Sequence, residues 1–146
     1  MRKHLFVFLL LSTVSCSDNI NKCQTENGIG KLRLGMTMDQ FNNEFPNSKI
    51  DSSFDWTEPL KSLTVAKNVI LNVGVRFIDG KLASISTEST KQLLDLLKLQ
   101  NGIARNEDHG KLKVTIFNSK SENIMIVKEN EFIGFIDKSL MRKLHE

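Results

Sequence analysis

The run Val69-Ile70-Leu71-Asn72-Val73-Gly74-Val75-Arg76-Phe77 places Val69, Leu71, Val73, Val75 and Phe77 at every second position. Only an extended strand puts such residues on one side, because successive strand side chains point to opposite faces. Asp79-Gly80 follows, then a second apolar run, Leu82-Ala83-Ser84-Ile85-Ser86. Asp-Gly between two such runs is a hairpin signal, so the chain must build antiparallel sheet here. A two-residue turn pairs Phe77 with Leu82 and leaves Ile85 on the face away from Val73 and Val75. A three-residue turn, with Gly80 in the left-handed region, pairs Phe77 with Lys81 instead. Val73, Val75, Ala83 and Ile85 then share a face, so the three-residue turn is expected.

A helix precedes this hairpin and another follows it. Thr37 and Gln40 form a Thr-x-x-Gln capping box, Met36 and Phe41 stand at the positions of a hydrophobic staple, and Pro46 ends the helix. Phe41 and Phe45 fall one turn apart, and their face reads as core rather than as a partner groove. The second helix runs from about Thr90, with Ser89 and Gln92 as its capping box, to a stop at Asn101-Gly102. Its leucines 93, 94, 96, 97 and 99 make a face broad enough to call for burial against a sheet.

Further strand candidates are Leu63–Ala66, Leu112–Phe117, Ile124–Val127 and Phe132–Ile136. Arg105-Asn106-Glu107-Asp108-His109-Gly110 reads as a charged loop, and Asp137–Leu144 as a short amphipathic helix. Leu32 and Leu34 alternate with basic residues, as in a short edge strand or extended lead-in. Helix followed by three strands thus occurs twice. Leu63 and Val114, Val73 and Ile124, and Leu82 and Ile133 are each 51 positions apart, the regular spacing that a duplication leaves. The expected class is α+β: an antiparallel sheet with helices packed on one face, with two tandem α-β-β-β units as the candidate plan.

The amino terminus carries an address. Met1-Arg2-Lys3-His4 precedes the apolar block Leu5–Leu11, small residues Ser12–Ser15 follow, and then comes Cys16. A basic head, a short apolar core and a small-residue exit describe an export signal over residues 1–15. The block is shorter than the roughly 20 residues a membrane-spanning helix needs. Cys16 at the exit resembles the lipobox of bacterial lipoproteins, with Thr13 where that pattern usually carries Leu. The resemblance implies a lipidated Cys16 as the first mature residue. Ser17 after it resembles the sorting pattern of outer-membrane lipoproteins facing the periplasm. A soluble exported protein with a Cys16–Cys23 disulfide is the alternative reading. Residues 16–28 then form the lipidated terminus and a polar tether, and residues 29–146 a single domain.

Removing residues 1–15 lowers Lys+Arg from 20 to 18 against 17 acidic residues. A mature formal charge of +1 gives no basic face for nucleic acid. A charge this small also leaves membrane attachment to lipid on Cys16 rather than to surface electrostatics.

Chemistry-bearing residues are sparse. His4 leaves with the signal and His145 stands one residue from the carboxyl end. His109 with Glu107 and Asp108 makes a weak metal signal, since ligands normally come from separated rigid positions. Asp51, Asp55 and Glu58 surround Trp56 with no accompanying base or nucleophile pattern. The chain has no Gly-x-Ser-x-Gly, phosphate loop or Cys-x-x-Cys. Cys23 has no histidine near it in sequence to activate it. The expectation is a non-enzyme without cofactor or metal. Phe54, Trp56 and Pro59, in the loop between first helix and sheet, are the candidate partner surface, with a lid over the core as the equal alternative for Trp56.

The segment Lys31-Leu32-Arg33-Leu34-Gly35-Met36-Thr37-Met38-Asp39-Gln40-Phe41 resembles the Leu-x-x-Gly-Met-Thr-x-x-Gln-Val helix start of small outer-membrane-assembly lipoproteins. Val75–Ile85 looks like the hairpin that follows in them. Residues of this kind also recur in the fold of β-lactamase-inhibitor proteins, with tandem helix and three-strand units. The resemblance covers about residues 30–87 and implies a binding scaffold. Two functions are therefore expected to compete. One is an envelope lipoprotein that binds protein and supports an outer-membrane complex. The other is an inhibitor or immunity lipoprotein that blocks a toxin, a protease or a wall-degrading enzyme.

Overall fold

A computed structural model describes residues 23–50 and 61–145. The expected hairpin is present as β4 (Val69–Ile78) and β5 (Lys81–Glu88), but its turn is the tighter one. Ile78 pairs with Lys81 and Phe77 with Leu82, and Asp79 and Gly80 both take positive φ, 51° and 70°. Two consecutive left-handed residues make the two-residue turn whose twist matches that of the strands. The face problem is solved three residues further on. Arg76 pairs with Ser84 and Val75 with Ile85, so Ala83 is the extra residue of a β-bulge. The bulge shifts the phase and brings Leu82 and Ile85, three positions apart, to one buried face with Phe77, Val75 and Val73. The expected three-residue turn is thus corrected: the extra residue sits in the strand.

β3 (Lys61–Ala66) pairs with β4, completing a three-strand meander. After helix α2 (Lys91–Gln100) come β6 (Ile103–His109), β7 (Leu112–Phe117), β8 (Ile124–Glu129) and β9 (Phe132–Asp137). Among the described residues these join a single antiparallel sheet of seven strands, ordered β3-β4-β5-β9-β8-β7-β6. The fold is α+β, as expected. The order reads the same from either side of the central β5–β9 pair, except for β6, which has no counterpart among the described residues of the first half. Residues 105–109, read as a charged loop, are a strand instead. Among the described residues β6 pairs only with β7 and is exposed on both sides, so no apolar alternation marks it. Two of the three quoted 51-residue pairs keep their face, Val73 with Ile124 and Leu82 with Ile133. Leu63 faces the core, but Val114 pairs with Glu129 on the outer side.

The inner face carries the core. Helix α1 (Met38–Glu44) has the full capping box of Thr37 and Gln40. Its Phe41 meets Phe77 edge-on at 5.5 Å between ring centroids, and Phe45 at 4.9 Å. Leu93, Leu96 and Leu97 of α2 join the same cluster as Ile126, Ile133 and Phe135. The α2 cap falls one residue later than expected: Thr90 accepts the Leu93 amide through its hydroxyl. Leu99, counted in the broad leucine face, is 81% exposed. The stop at Asn101-Gly102 holds, with Gly102 at φ 72°. Helix α3 (Lys138–Arg142), capped by Asp137, belongs to a separate small cluster in which Leu140 packs with Ile78 and the bulged Ala83.

The leading segment is docked. A short hairpin, β1 (Gly28–Ile29) with β2 (Leu32–Arg33), is tied to β3 by Lys31 N donating to Val65 O at 2.7 Å. Leu82 N donates to Met36 O and Gly35 N to Leu82 O, fixing the next residues to β5. Cys23 is 3% exposed within the core cluster. The tether expected through residue 28 therefore gives way to packed structure from Cys23 onward.

Candidate binding face

The sheet has a second, outer face, and register defines it. Arg76, Ser84, Ile136 and Met125 lie side by side on β4, β5, β9 and β8. The next row is Gly74, Ser86, Gly134, Val127 and Ile116, and the third is Glu88, Phe132, Glu129 and Val114. In the first half this face is polar, as an open antiparallel face should be: Ser62, Thr64, Asn72, Ser84, Ser86 and Glu88. On β7, β8 and β9 it is mostly apolar, with Val114, Ile116, Met125, Val127, Phe132 and Ile136 around Glu129, and it turns charged again on β6. Among the described residues only α3 reaches this face, at the end where Ile78 and Ala83 lie.

A groove of about 520 Å³ runs over β9, lined by Val127, Phe132, Gly134, Ile136 and Met141 with Arg76, Ser84 and Ser86 along one side. Gly134 forms the low point of its floor. A Cβ there would meet Val127 Cγ1 at 3.5 Å and Ile136 Cδ1 at 3.9 Å, ordinary contacts that leave room for a side chain. Phe132 stands 47% exposed at the rim, beside the turn that carries Glu129, Asn130 and Glu131. Ser89 N donates to Glu131 O at 2.7 Å and fixes this turn to the start of α2. Solvent-exposed apolar area of this kind marks contact sites rather than core.

Two other concavities are more polar. One of about 820 Å³ lies between the β1–β2 hairpin, α1 and the β3–β4 turn, edged by Lys31, Arg33, Gln40, Asn43, Glu44 and Lys67. Another of about 390 Å³ adjoins the docked segment. There Thr25 is buried, its amide donating to Gln100 Oε1 at 3.1 Å. Its hydroxyl lies 2.8 Å from that oxygen and 2.6 Å from Asn101 Oδ1, one proton serving both. Gln100 Nε2 donates to Cys23 O at 2.8 Å. These bonds clamp the segment onto the end of α2, which is a structural task.

The one histidine-bearing cluster among the described residues lies on β6, away from these concavities. Glu107 and His109 share the outer side of β6, with His109 Nε2 3.2 Å from Glu107 Oε2 and Arg105 Nε 2.6 Å from Glu107 Oε1. His109, then Arg105, hold the Glu107 carboxyl below its usual range. Asp108 points the other way and accepts the Gly110 amide. No metal-holding group of acidic, histidine or cysteine side chains occurs among the described residues. Burial raises the Cys23 thiol above its ordinary pKa, the opposite of what a nucleophile needs.

Cys16, Phe54, Trp56 and Pro59, the residues singled out from the sequence, lie outside the described residues. The residues that the fold does bring together, Val127, Phe132, Gly134 and Ile136, were read only as strand. One signal was legible: Ile124-Met125-Ile126-Val127 is apolar at both parities, which a strand with one wet face does not require. No helix among the described residues is long and apolar enough to cross a membrane. No family model, curated protein or solved structure matches the chain.

Proposed function

We propose that this chain is a bacterial envelope lipoprotein, anchored in the outer membrane through lipid on Cys16 and facing the periplasm, whose domain is a non-catalytic protein-binding module. The observation that carries the binding role is the apolar outer face of β7, β8 and β9, left uncovered among the described residues. A groove with an aromatic rim and with no histidine or cysteine among its lining residues suits contact rather than turnover. The anchor rests on the lipobox-like exit at Cys16. With Cys23 already in the core, six residues separate it from Cys16. At about 3.4 Å per extended residue the domain's leading edge stays within roughly 24 Å of the lipid.

Palmitate labelling tests the anchor: it is expected to depend on Cys16, and labelling that survives Cys16→Ser removes this part of the reading. Capture from detergent-solubilised membranes tests the module. An envelope protein should be enriched over a Cys16→Ser control and lost in Val127→Asp. Enrichment that is indifferent to Val127→Asp moves the contact off this face, and no enrichment at all ends the binding reading. Loss of a captured enzyme's activity would assign the inhibitory role.

A further inference from the structure

The acidic side of the groove limits what can occupy it. Glu88, Phe132 and Glu129 are cross-strand neighbours on β5, β9 and β8, so one half-exposed phenyl ring sits between two carboxylates. Glu131 adds a third at the adjoining turn. Among the described residues none of the three has an ion pair. The nearby Lys128 ammonium is engaged by the Asn130 carbonyl. Arg76 lines the other end of the groove, opposite Ser84, whose backbone is four residues or about 13 Å along β5 from that of Glu88. An acidic rim at this end of an apolar floor repels acidic partners and attracts basic ones.

Resting on the binding-module reading above, we infer that the occupant is an amphipathic helix of a partner protein with cationic side chains one on each side of an apolar one. Geometry selects the helix. Glu88 and Glu129 are two strand spacings apart across the sheet, about 10 Å. Residues on one face of an extended peptide recur at about 7 and 13 Å and straddle that interval. Helix positions i and i+7 recur at about 10.5 Å on one face, with i+3 and i+4 between them. A Lys or Arg pair at i and i+7 therefore meets the two carboxylates while apolar residues at i+3 and i+4 cover Phe132 and fill the hollow at Gly134. This is a helix laid across strands in an apolar groove.

The test places a photoreactive residue at Phe132 of the full lipoprotein in its own cells and sequences the segment that becomes cross-linked. The expected segment is helical with basic residues seven apart around an apolar pair. Glu88→Lys with Glu129→Lys, both exposed and remote from the core, should reduce the yield about tenfold, from two surface pairs at roughly 0.7 kcal/mol each. Reversing the partner's two cations to Glu should restore it. Gly134→Val, which fills the hollow, should lower the yield without lowering the melting temperature. A cross-linked segment lacking those basic residues, or a yield unchanged by the charge reversal, overturns the inference and leaves the binding module standing. Cross-links to a second copy or to residues 51–60 of the same chain overturn it likewise. If no cross-link forms at Phe132, the inference and the outer-face reading fall together.

Discussion

The two halves of the sheet present the same inner face and opposite outer faces. Inward, Val73, Val75 and Phe77 of the first half and Ile126, Ile133 and Phe135 of the second enter one core. Outward, the first half shows serines, Thr64 and Asn72, whereas the second shows Val114, Ile116, Met125, Val127 and Ile136. Ile70, 66% exposed, and Ile78 with Ala83 beneath α3 are the first half's exceptions. A common core explains why the halves fold together. The outer difference is not needed for that, because an open antiparallel face is stable with polar residues. The proposed contact role rests on that outer apolar surface of the second half.

Matched core truncations should show the largest effect. Phe77→Ala and Phe135→Ala each remove a fully buried ring and are expected to cost about 3–5 kcal/mol in denaturant unfolding. A much smaller loss for one would break the single-core picture. The clamp onto α2 comes next. Thr25→Val removes the hydroxyl shared by Gln100 and Asn101 and should cost about 1–2 kcal/mol, together with faster amide exchange around Cys23. If exchange is unchanged, the segment is not held by this clamp. Thr90→Ala deletes the α2 cap and should cost about 1 kcal/mol.

The outer-face comparison separates stability from binding. Ser86→Asn in the first half and Phe132→Ala in the second should each change stability by no more than about 0.5 kcal/mol. Only Phe132→Ala should reduce partner capture. Equal effects of the two on capture would erase the distinction between the halves. The smallest effect concerns β6. Glu107 has a lowered folded-state pKa, so its contribution is present above the unfolded value and fades as pH falls through the folded one. Melting curves of the native chain and Glu107→Gln should therefore converge in acid, and a gap that widens there contradicts the pairing with His109 and Arg105.

Legibility followed range. The hairpin β4–β5, the Thr37 capping box, the stop at Gly102 and strands β7 to β9 were readable because each depends on residues a few positions apart. The candidate surface was less so. Phe132 and Val127 are ordinary strand residues until β8, β9 and β5 are set side by side. Their placement with Glu88 and Glu129 joins positions some 40 apart. β6 left no trace because an edge strand with two wet faces needs no apolar period. The bulge at Ala83 was not legible: the sequence reading set Ala83 rather than Leu82 beside Ile85, and only the pairing of Phe77 with Leu82 and Val75 with Ile85 shows the extra residue inside the strand.

The sequence by itself determined the capped helices, the apolar strands, their order and the antiparallel hairpin, since alternation, caps and turn residues act locally and report their own conformation. The tertiary structure alone decided the β5–β9 junction, the docking of Cys23 and Thr25 and the face on which each apolar residue stands. Those outcomes depend on pairing distant segments, and register, where one residue reverses every side chain, is settled only when both partners and the core between them are in place.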